Sequence, residues 1–312
     1  MTTSNDLNNI IHHILNHLEG DRNISEEDSK AVWDELSEAA IRGDQEFFRQ
    51  LIVAETAQVR EKSYPILLGA VAEGKIDIVT ALIEAGCDVN AQTKMLFSFD
   101  ALGIAVDQGF TAIVRLLLNA GANPNSANAN PGMSHLSKAA QKCHTDILRL
   151  LIDYGAKVKF GTGFRLLVHA AENSNAEIVQ ILIDAGCNVN TRNYQYDTPL
   201  AAACRRVNVE IVKTLINAGA NVDKTGMHEN PPLISVFYAE SINQFMARHG
   251  FAELIIAMES RIYAIVKILI NAGADLNCRD SHHDMTPLMM ATVRNYQNVA
   301  KLLIAAGADS EE

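Results

Sequence analysis

The sequence predicts an all-α solenoid of about eight helix-turn-helix repeats, with a helical lid at the N-terminal end. Three observations predict this fold. A glycine recurs about every 33 residues, an apolar stripe with helical spacing precedes each such glycine, and a Thr-Pro pair begins two of the repeats. The recurring glycines are Gly86, Gly121, Gly155, Gly186, Gly219, Gly273 and Gly307.

The clearest repeat covers residues 197–223. Thr198 is placed to cap a first helix that begins at Pro199, where the missing N–H costs nothing. A second helix follows, and its apolar residues share one face: Ile211, Val212, Leu215 and Ile216. Gly219 supplies the left-handed residue that ends this helix. Because one such unit cannot bury its own stripe, neighbouring units must pack on each other.

Residues 1–30 are predicted to form the N-terminal lid. Their apolar residues have the spacing of an amphipathic helix, which suits a cap over the first repeat: Leu7, Ile10, Ile11, Ile14, Leu15 and Leu18. His12, His13 and His17 suggest metal binding as an alternative role for this segment. No ligand set of a known zinc spacing accompanies them, so we expect solvated histidines.

The repeat domain is predicted over residues 31–312. Ser25-Glu26-Glu27-Asp28 is similar to a capping box and predicts the start of a helix there. The expected repeats cover residues 34–62, 63–96, 97–130, 131–162, 163–195, 196–229, 230–283 and 284–312.

One repeat is longer than the others. Gly219 and Gly273 lie 54 residues apart, an excess of about 20 over the period. Residues 230–236 begin a first helix and residues 254–260 align to that same helix, so we expect an insertion at 238–250. Two interpretations stay open: the insertion contacts a partner, as insertions in solenoids often do, or it is only an extension.

These patterns resemble the ankyrin-repeat family, whose consensus reads roughly D-x-x-G-x-T-P-L-H-x-A-A-x-x-G-H and then V-V-x-L-L-L-x-x-G-A-D-V-N. Residues 85–90 (AGCDVN) and 272–277 (AGADLN) match its last part, and Thr286-Pro287-Leu288 matches the start of the first helix. The resemblance covers residues 34–312. It implies a non-catalytic scaffold or adaptor that binds a partner protein through finger loops and a concave groove lined by the first helices.

The composition excludes several other classes. The chain has 312 residues, and 26 basic against 37 acidic side chains give a net charge of −11, which disfavours nucleic-acid binding. Five cysteines without a CxxC pair disfavour a disulfide framework or a zinc site. No signal peptide and no apolar run of membrane-spanning length is found, so we expect a cytoplasmic protein without a cofactor or membrane partner.

The best binding candidates are residues that the repeat pattern does not dictate. One finger is long and apolar, one carries two tyrosines, and one first helix ends in two arginines that face the groove in the family: Met95, Phe97, Phe99, Tyr194, Tyr196, Arg205 and Arg206. Tyr and Arg are frequent binding hot spots. Tyr196 also replaces the glycine of the pattern. Phe97 and Phe99 have an equal alternative, in which they fold back onto neighbouring fingers.

Catalysis is not expected. Cys143 and His144 are the most reactive adjacent pair, but they lie on an interhelical turn and no third residue is placed to orient them. Two other functions remain as alternatives. One is a metal-dependent or enzyme-associated regulator that uses the N-terminal histidines, and the other is a self-assembling structural protein that associates weakly through its C-terminal edge.

Overall fold

The computed structural model describes residues 26–57, 66–91, 100–126, 134–158, 163–173, 175–239 and 252–309. Regular secondary structure in these ranges is helical, so the fold is all-α, as the sequence predicts. Residues 1–25 of the predicted lid, which was expected over residues 1–30, lie outside the described residues. The expected boundary at residue 30 falls inside the first described helix, which begins directly after Ser25, the first residue of the predicted capping box.

The chain divides into two compact units, Met1–Ala156 and Lys157–Glu312. The helices of the first unit form pairs joined by short turns: α1 (Glu26–Ile41), α2 (Gln45–Ala57), α3 (Ile66–Ala72), α4 (Ile76–Glu84), α5 (Ala101–Gln108), α6 (Thr111–Asn119), α7 (His135–Gln141) and α8 (Thr145–Asp153). First helices pack on first helices, as α3 does on α5 and α5 on α7. Second helices do the same, from α4 to α6 to α8.

The second unit repeats this arrangement: α9 (Gly163–Glu172), α10 (Ala176–Asp184), α11 (Pro199–Arg205), α12 (Val209–Asn217), α13 (Pro232–Ser235), α14 (Ala252–Asn271), α15 (Pro287–Val293) and α16 (Gln297–Ala305). Two short 3-10 helices, Met227–Glu229 and Val236–Ala239, lie on either side of α13. The first helices α9, α11 and α13 pack in series, and so do the second helices α10, α12, α14 and α16.

Local sequence signals explain where the helices begin and end. The Thr198 hydroxyl accepts from the N–H of Ala201 at 3.2 Å, and Thr286 does the same for Met289 at 3.3 Å. Each caps a helix whose first residue is proline. All seven recurring glycines have a positive φ, from +82° at Gly273 to +97° at Gly307. These glycines therefore end the second helices, as the spacing predicts.

The apolar stripes of the second helices form the core of each unit. Leu82, Leu117 and Leu151 are fully buried in the first unit, and Leu182, Leu215, Leu269 and Leu303 are fully buried in the second. Burying one such leucine contributes about 1.5–3 kcal/mol to the free energy of unfolding. Burial of this stripe in consecutive repeats stabilises the solenoid, because no single helix pair could bury it alone.

The asparagine and aspartate residues of the fingers form turns and link neighbouring repeats. Asn188 accepts from the N–H of Asn190 at 2.9 Å, a local side-chain bond that stabilises the turn. Asn190 then reaches the next repeat, donating to the Gly219 carbonyl at 3.0 Å and accepting from the N–H of Asn221 at 2.7 Å. Asn90 makes the same pair of bonds in the first unit.

The long repeat differs from the expectation. Residues 254–260 do not form a separate first helix, because they belong to α14, which runs without interruption from Ala252 to Asn271. The first helix of this repeat is α13, which packs against α11. No glycine or proline occurs within α14, so nothing in its sequence ends the helix before the second-helix stripe. Most of the predicted insertion, residues 240–250, lies outside the described residues.

Candidate binding surface

The finger between α10 and α11 carries Tyr194 and Tyr196 on a closed loop. The side chain of Asn193 accepts from the N–H groups of Gln195 and Asp197, both at 2.9 Å. Backbone bonds between Asn193 and Asp197 and between Tyr196 and Asn193, both at 3.0 Å, close the same loop. The tip is therefore ordered by its own hydrogen bonds, and a partner would find it pre-formed.

The two tyrosines are among the most exposed large side chains of the described residues, with 68% of Tyr194 and 70% of Tyr196 accessible. Tyr196 has φ = +60°, in the left-handed region. A residue with a Cβ pays about 1–2 kcal/mol for this conformation, and glycine avoids that cost. Because most of Tyr196 is exposed, packing of its side chain offsets little of this conformational cost.

Asp197, the residue after Tyr196, is buried and connects this loop to the next finger and to Arg205 of α11. Its side chain is 1% exposed. The carboxylate accepts from the N–H of Thr198 at 3.1 Å and from the N–H of Met227 in the next finger at 2.9 Å. The guanidinium of Arg205 pairs with the same carboxylate, and its second carboxylate neighbour is Glu172 at 3.5 Å.

Arg205 therefore differs from the simple surface residue that the sequence suggested. Only 22% of its side chain is exposed, and its charge compensates a carboxylate that has no access to water. The ion pair fixes Arg205, the last residue of α11, against Asp197, while the Met227 N–H bond to the same carboxylate joins the two fingers. Arg206, the next residue, is exposed and occupies the turn after α11.

Gly226 permits this junction and was not recognised from the sequence. A Cβ on Gly226 would lie 2.4 Å from the Cβ of Ala201 and 2.5 Å from Oδ1 of Asp197. Its φ of −101° is open to any residue, so the requirement is for close approach and not for a left-handed backbone. The signal in the sequence is a glycine outside the periodic series.

Two more basic side chains lie on these fingers. Arg192 is exposed, and its Nη2 donates to the hydroxyl of Thr225 at 2.8 Å. Lys224 is half-buried, and its Nζ donates to the carbonyl of Asn190 at 2.6 Å. Both acceptors are neutral. Among the described residues, no carboxylate lies within ion-pair distance of Arg192, Lys224 or Arg206.

The predicted apolar finger is in the first unit. Met95, Phe97 and Phe99 belong to residues 92–99, which lie outside the described residues. Their role in binding stays a prediction. The N-terminal histidines His12, His13 and His17 also lie outside the described residues, and the expectation that they are solvated stays a prediction.

A buried polar cluster in the first unit joins Asp100, His135 and Ser126. His135 Nε2 lies 3.0 Å from Oδ1 of Asp100, and its Nδ1 lies 3.1 Å from the Pro124 carbonyl. The Ser126 hydroxyl donates to Asp100 and not to the histidine. Asp100 and His135 are 4% and 1% exposed. With the carboxylate between the other two and no access for a substrate, the cluster is not a catalytic triad.

The pKa of the Asp100 carboxyl is lowered. Burial alone would raise it, but the hydrogen bond and charge of His135, the hydroxyl of Ser126 and the N–H of Gly103 together outweigh burial. Both ring nitrogens of His135 face acceptors, a carboxylate and a carbonyl. Contacts at both nitrogens therefore fix the orientation of the imidazole against Asp100.

Burial disfavours the reactive thiolate form at Cys87 and Cys187. Burial, followed by the nearby acidic side chains Glu55 and Asp88, raises the pKa of Cys87 to about 12. Burial raises the pKa of Cys187 to about 11. His144, the neighbour of Cys143, packs against the preceding turn, where a Cβ on Gly109 would lie 2.9 Å from His144 Cε1.

Neither a metal centre nor a membrane span is found in the described part of the chain. Its His, Cys, Asp and Glu side chains form no group of three or more that could hold a metal ion. None of its helices combines the length and the apolar character needed to cross a bilayer.

Comparison with known proteins identifies the repeats. The sequence profile described as ankyrin repeats in three copies matches residues 67–162, 102–193, 158–226 and 229–312. A putative ankyrin repeat-containing protein of Treponema pallidum (strain Nichols) is 36% identical over 92 residues, which are 30% of this chain and 30% of that protein. The E3 ubiquitin-protein ligase KEG of Arabidopsis thaliana is 23% identical over 247 residues.

The chain spans 30% and 15% of the lengths of these two relatives, although the second match covers 78% of the chain itself. Among solved structures, the ankyrin repeat domain of human ASB11 superposes with a TM-score of 0.59, 22% identity and coverage of 80% of this chain and 100% of that one. The ankyrin repeat domain of Bcl-3, described as a unique member of the IkappaB protein family, superposes with a TM-score of 0.58 and 22% identity. The match covers 77% of this chain and 99% of that one. These likenesses concern the fold.

Proposed function

Because this chain belongs to the ankyrin-repeat family, whose repeats are generally protein–protein interaction modules, we propose that it is a non-catalytic scaffold that binds a partner protein through finger loops and a concave groove lined by the first helices. In the second unit the contact residues are Tyr194, Tyr196, Arg205 and Arg206. In the first unit they are Met95, Phe97 and Phe99. The proposed location is the cytoplasm.

One observation carries the proposal. Tyr196 holds a left-handed conformation that favours glycine, yet 70% of the residue is exposed. A bulky residue that costs conformational energy and gains little burial is explained by a function outside the folding of the chain itself. The neighbouring Tyr194, on the same closed loop, enlarges the aromatic contact area that a partner could bury.

The experiment is a quantitative pull-down from a lysate of the source cells with three forms of the full chain. The wild type is compared with Tyr194→Ala/Tyr196→Gly and with Lys213→Ala/Lys267→Ala, whose lysines are exposed on the second helices α12 and α14. A partner lost with the tyrosine variant and retained with the lysine variant supports the proposal. Equal retention of every captured protein by all three forms contradicts it.

A second candidate is weak self-association. Val293 and Ile304, on α15 and α16, are 72% and 54% exposed, which leaves apolar surface on the last described helix pair. Sedimentation velocity tests it over roughly a hundredfold range of protein concentration around the micromolar level. A sedimentation coefficient that does not change with concentration contradicts self-association.

A further inference from the structure

The finger surface of the second unit is defined here by Arg192, Tyr194, Tyr196 and Lys224 on two neighbouring fingers and by Arg206 on the turn after α11. The chain carries a net charge of −11. On the second helices of this unit, acidic side chains such as Glu177 and Glu210 lie in the first turns, where they interact favourably with the positive ends of the helix dipoles.

Three cations of the finger surface are not neutralised by the described residues. Arg192 and Lys224 donate to the neutral oxygens of Thr225 and Asn190, and Arg206 is exposed after α11. Arg205 is different, because Asp197 and Glu172 already compensate its charge. The same loops expose two carboxylates, Asp223 and Glu229. Asp223 accepts from the N–H of Asp275 in the following finger at 2.9 Å.

The available donors suit carboxylates. A guanidinium presents five N–H groups in a fork that matches a carboxylate in bidentate fashion, and a tyrosine hydroxyl can donate one more hydrogen bond. Resting on the proposed function, we propose that the finger surface binds an acidic segment of the partner protein, with Arg192 and Arg206 pairing with its carboxylates and Tyr194 and Tyr196 packing along it.

A nucleic acid would offer negative charge too. The large acidic excess of the whole chain opposes it, since a phosphate backbone carries dense charge over a long distance while an acidic peptide can be short. The observations therefore favour the peptide, and the test includes the alternative.

The test measures fluorescence anisotropy of a fluorescein-labelled deca-glutamate peptide with the full chain. We expect saturable binding at about 20 mM NaCl that weakens at least about fivefold at about 200 mM NaCl, because exposed charge pairs are screened. Arg192→Glu/Arg206→Glu is expected to raise Kd by about tenfold or more. The matched control, Lys213→Glu/Lys267→Glu, changes the net charge equally on α12 and α14 and is expected to change Kd by less than about twofold.

Three results overturn the inference: no binding of deca-glutamate to the wild type, equal weakening by the two charge-reversal variants, or tighter binding of a labelled dodecathymidylate. Failure of this inference differs from failure of the proposed function. A partner whose capture needs Tyr194 and Tyr196, found together with no deca-glutamate binding, leaves the proposed function in place and rejects only the acidic segment.

Discussion

The imidazole of His135 fills the space that a side chain on Gly103 would occupy. A Cβ added to Gly103 would lie 3.3 Å from His135 Nε2 and 2.8 Å from Oδ1 of Asp100. In the ankyrin pattern T-P-L-H, Gly103 stands at the histidine position of its repeat, and His135 stands at the proline position of the next. An imidazole from the following repeat therefore binds Asp100, and the two departures from the pattern compensate each other.

Replacing Gly103 with alanine is expected to destabilise the first unit by about 1–3 kcal/mol, the usual cost of forcing extra volume into a packed site. Gly103 has no positive φ to favour glycine, so the effect arises from contact with Asp100 and His135. Urea unfolding measures it. The double variant Gly103→Ala/His135→Ala should lose less unfolding free energy than the sum of the losses in the two single variants. Strict additivity would show that the residues are not coupled.

Replacing Arg205 with alanine is expected to destabilise the second unit by about 2–4 kcal/mol, because it leaves the buried Asp197 without its cation. The nearby Arg206→Ala, on an exposed side chain, should stay within about 0.5 kcal/mol. Thermal and urea unfolding of the two variants provide a matched comparison. Equal stabilities would mean that Met227 and Thr198 N–H groups suffice to stabilise the carboxylate.

Replacing Tyr196 with glycine is expected to raise the free energy of unfolding by about 0.5–1 kcal/mol, since relief of the left-handed strain exceeds the entropy that glycine adds to the unfolded chain. Urea unfolding measures this gain. Tyr194→Gly is the control and should not stabilise the protein, because the positive φ is recorded for Tyr196 and not for Tyr194. A less stable Tyr196→Gly variant would show that the ring contributes to packing.

Replacing Asp223 with asparagine is expected to stabilise the protein by about 0.5–1 kcal/mol, the net value of one hydrogen bond. Asp223 occupies the finger position of Asn190, which both accepts and donates between repeats. A carboxylate can only accept, as Asp223 does from Asp275. Asn190→Asp should produce a loss of similar size. No change in either variant would contradict a stabilising role for these bridges.

Acid should destabilise the fold through Asp100 and Asp280. Contacts from His135 lower the pKa of Asp100 against the opposing effect of burial. The pKa of Asp280 is likewise lowered below 3.8, against burial, by the N–H of Met285 and the hydroxyl of Tyr238. The unfolded chain then binds more protons than the folded one at low pH. The stabilisation is complete above about pH 5 and is lost as pH falls through the folded-state pKa values.

Urea midpoints measured between about pH 7 and pH 3 test this dependence. Asp100→Asn should be less stable than the wild type near neutral pH and should lose less stability on acidification. An acid-induced loss as large as that of the wild type would show that Asp100 does not contribute to the pH dependence.

The helices were largely predictable because their signals are local. Thr198-Pro199 marks a helix start through a cap and a fixed φ, and Gly219 marks a helix end through its left-handed backbone. The exception, α14, shows the limit of pattern alignment: residues 254–260 matched a first helix in register, but no breaker separated them from the next helix.

The candidate site was predictable only in part. Tyr194 and Tyr196 stood out because the repeat does not require them, and both are exposed. Arg205 also departs from the pattern, but the pattern could not show that its charge is needed by Asp197. Gly226 carried almost no local signal, since its role is to admit Ala201 and Asp197.

The sequence by itself determined the repeat period, the helix ends and the buried stripes, because caps, left-handed glycines and apolar spacing act within a few residues of one another. Only the tertiary structure decided that Arg205 neutralises Asp197 and that His135 takes the space above Gly103. Those contacts join side chains whose partners depend on how helices and fingers stack, and no local spacing encodes the distance between them.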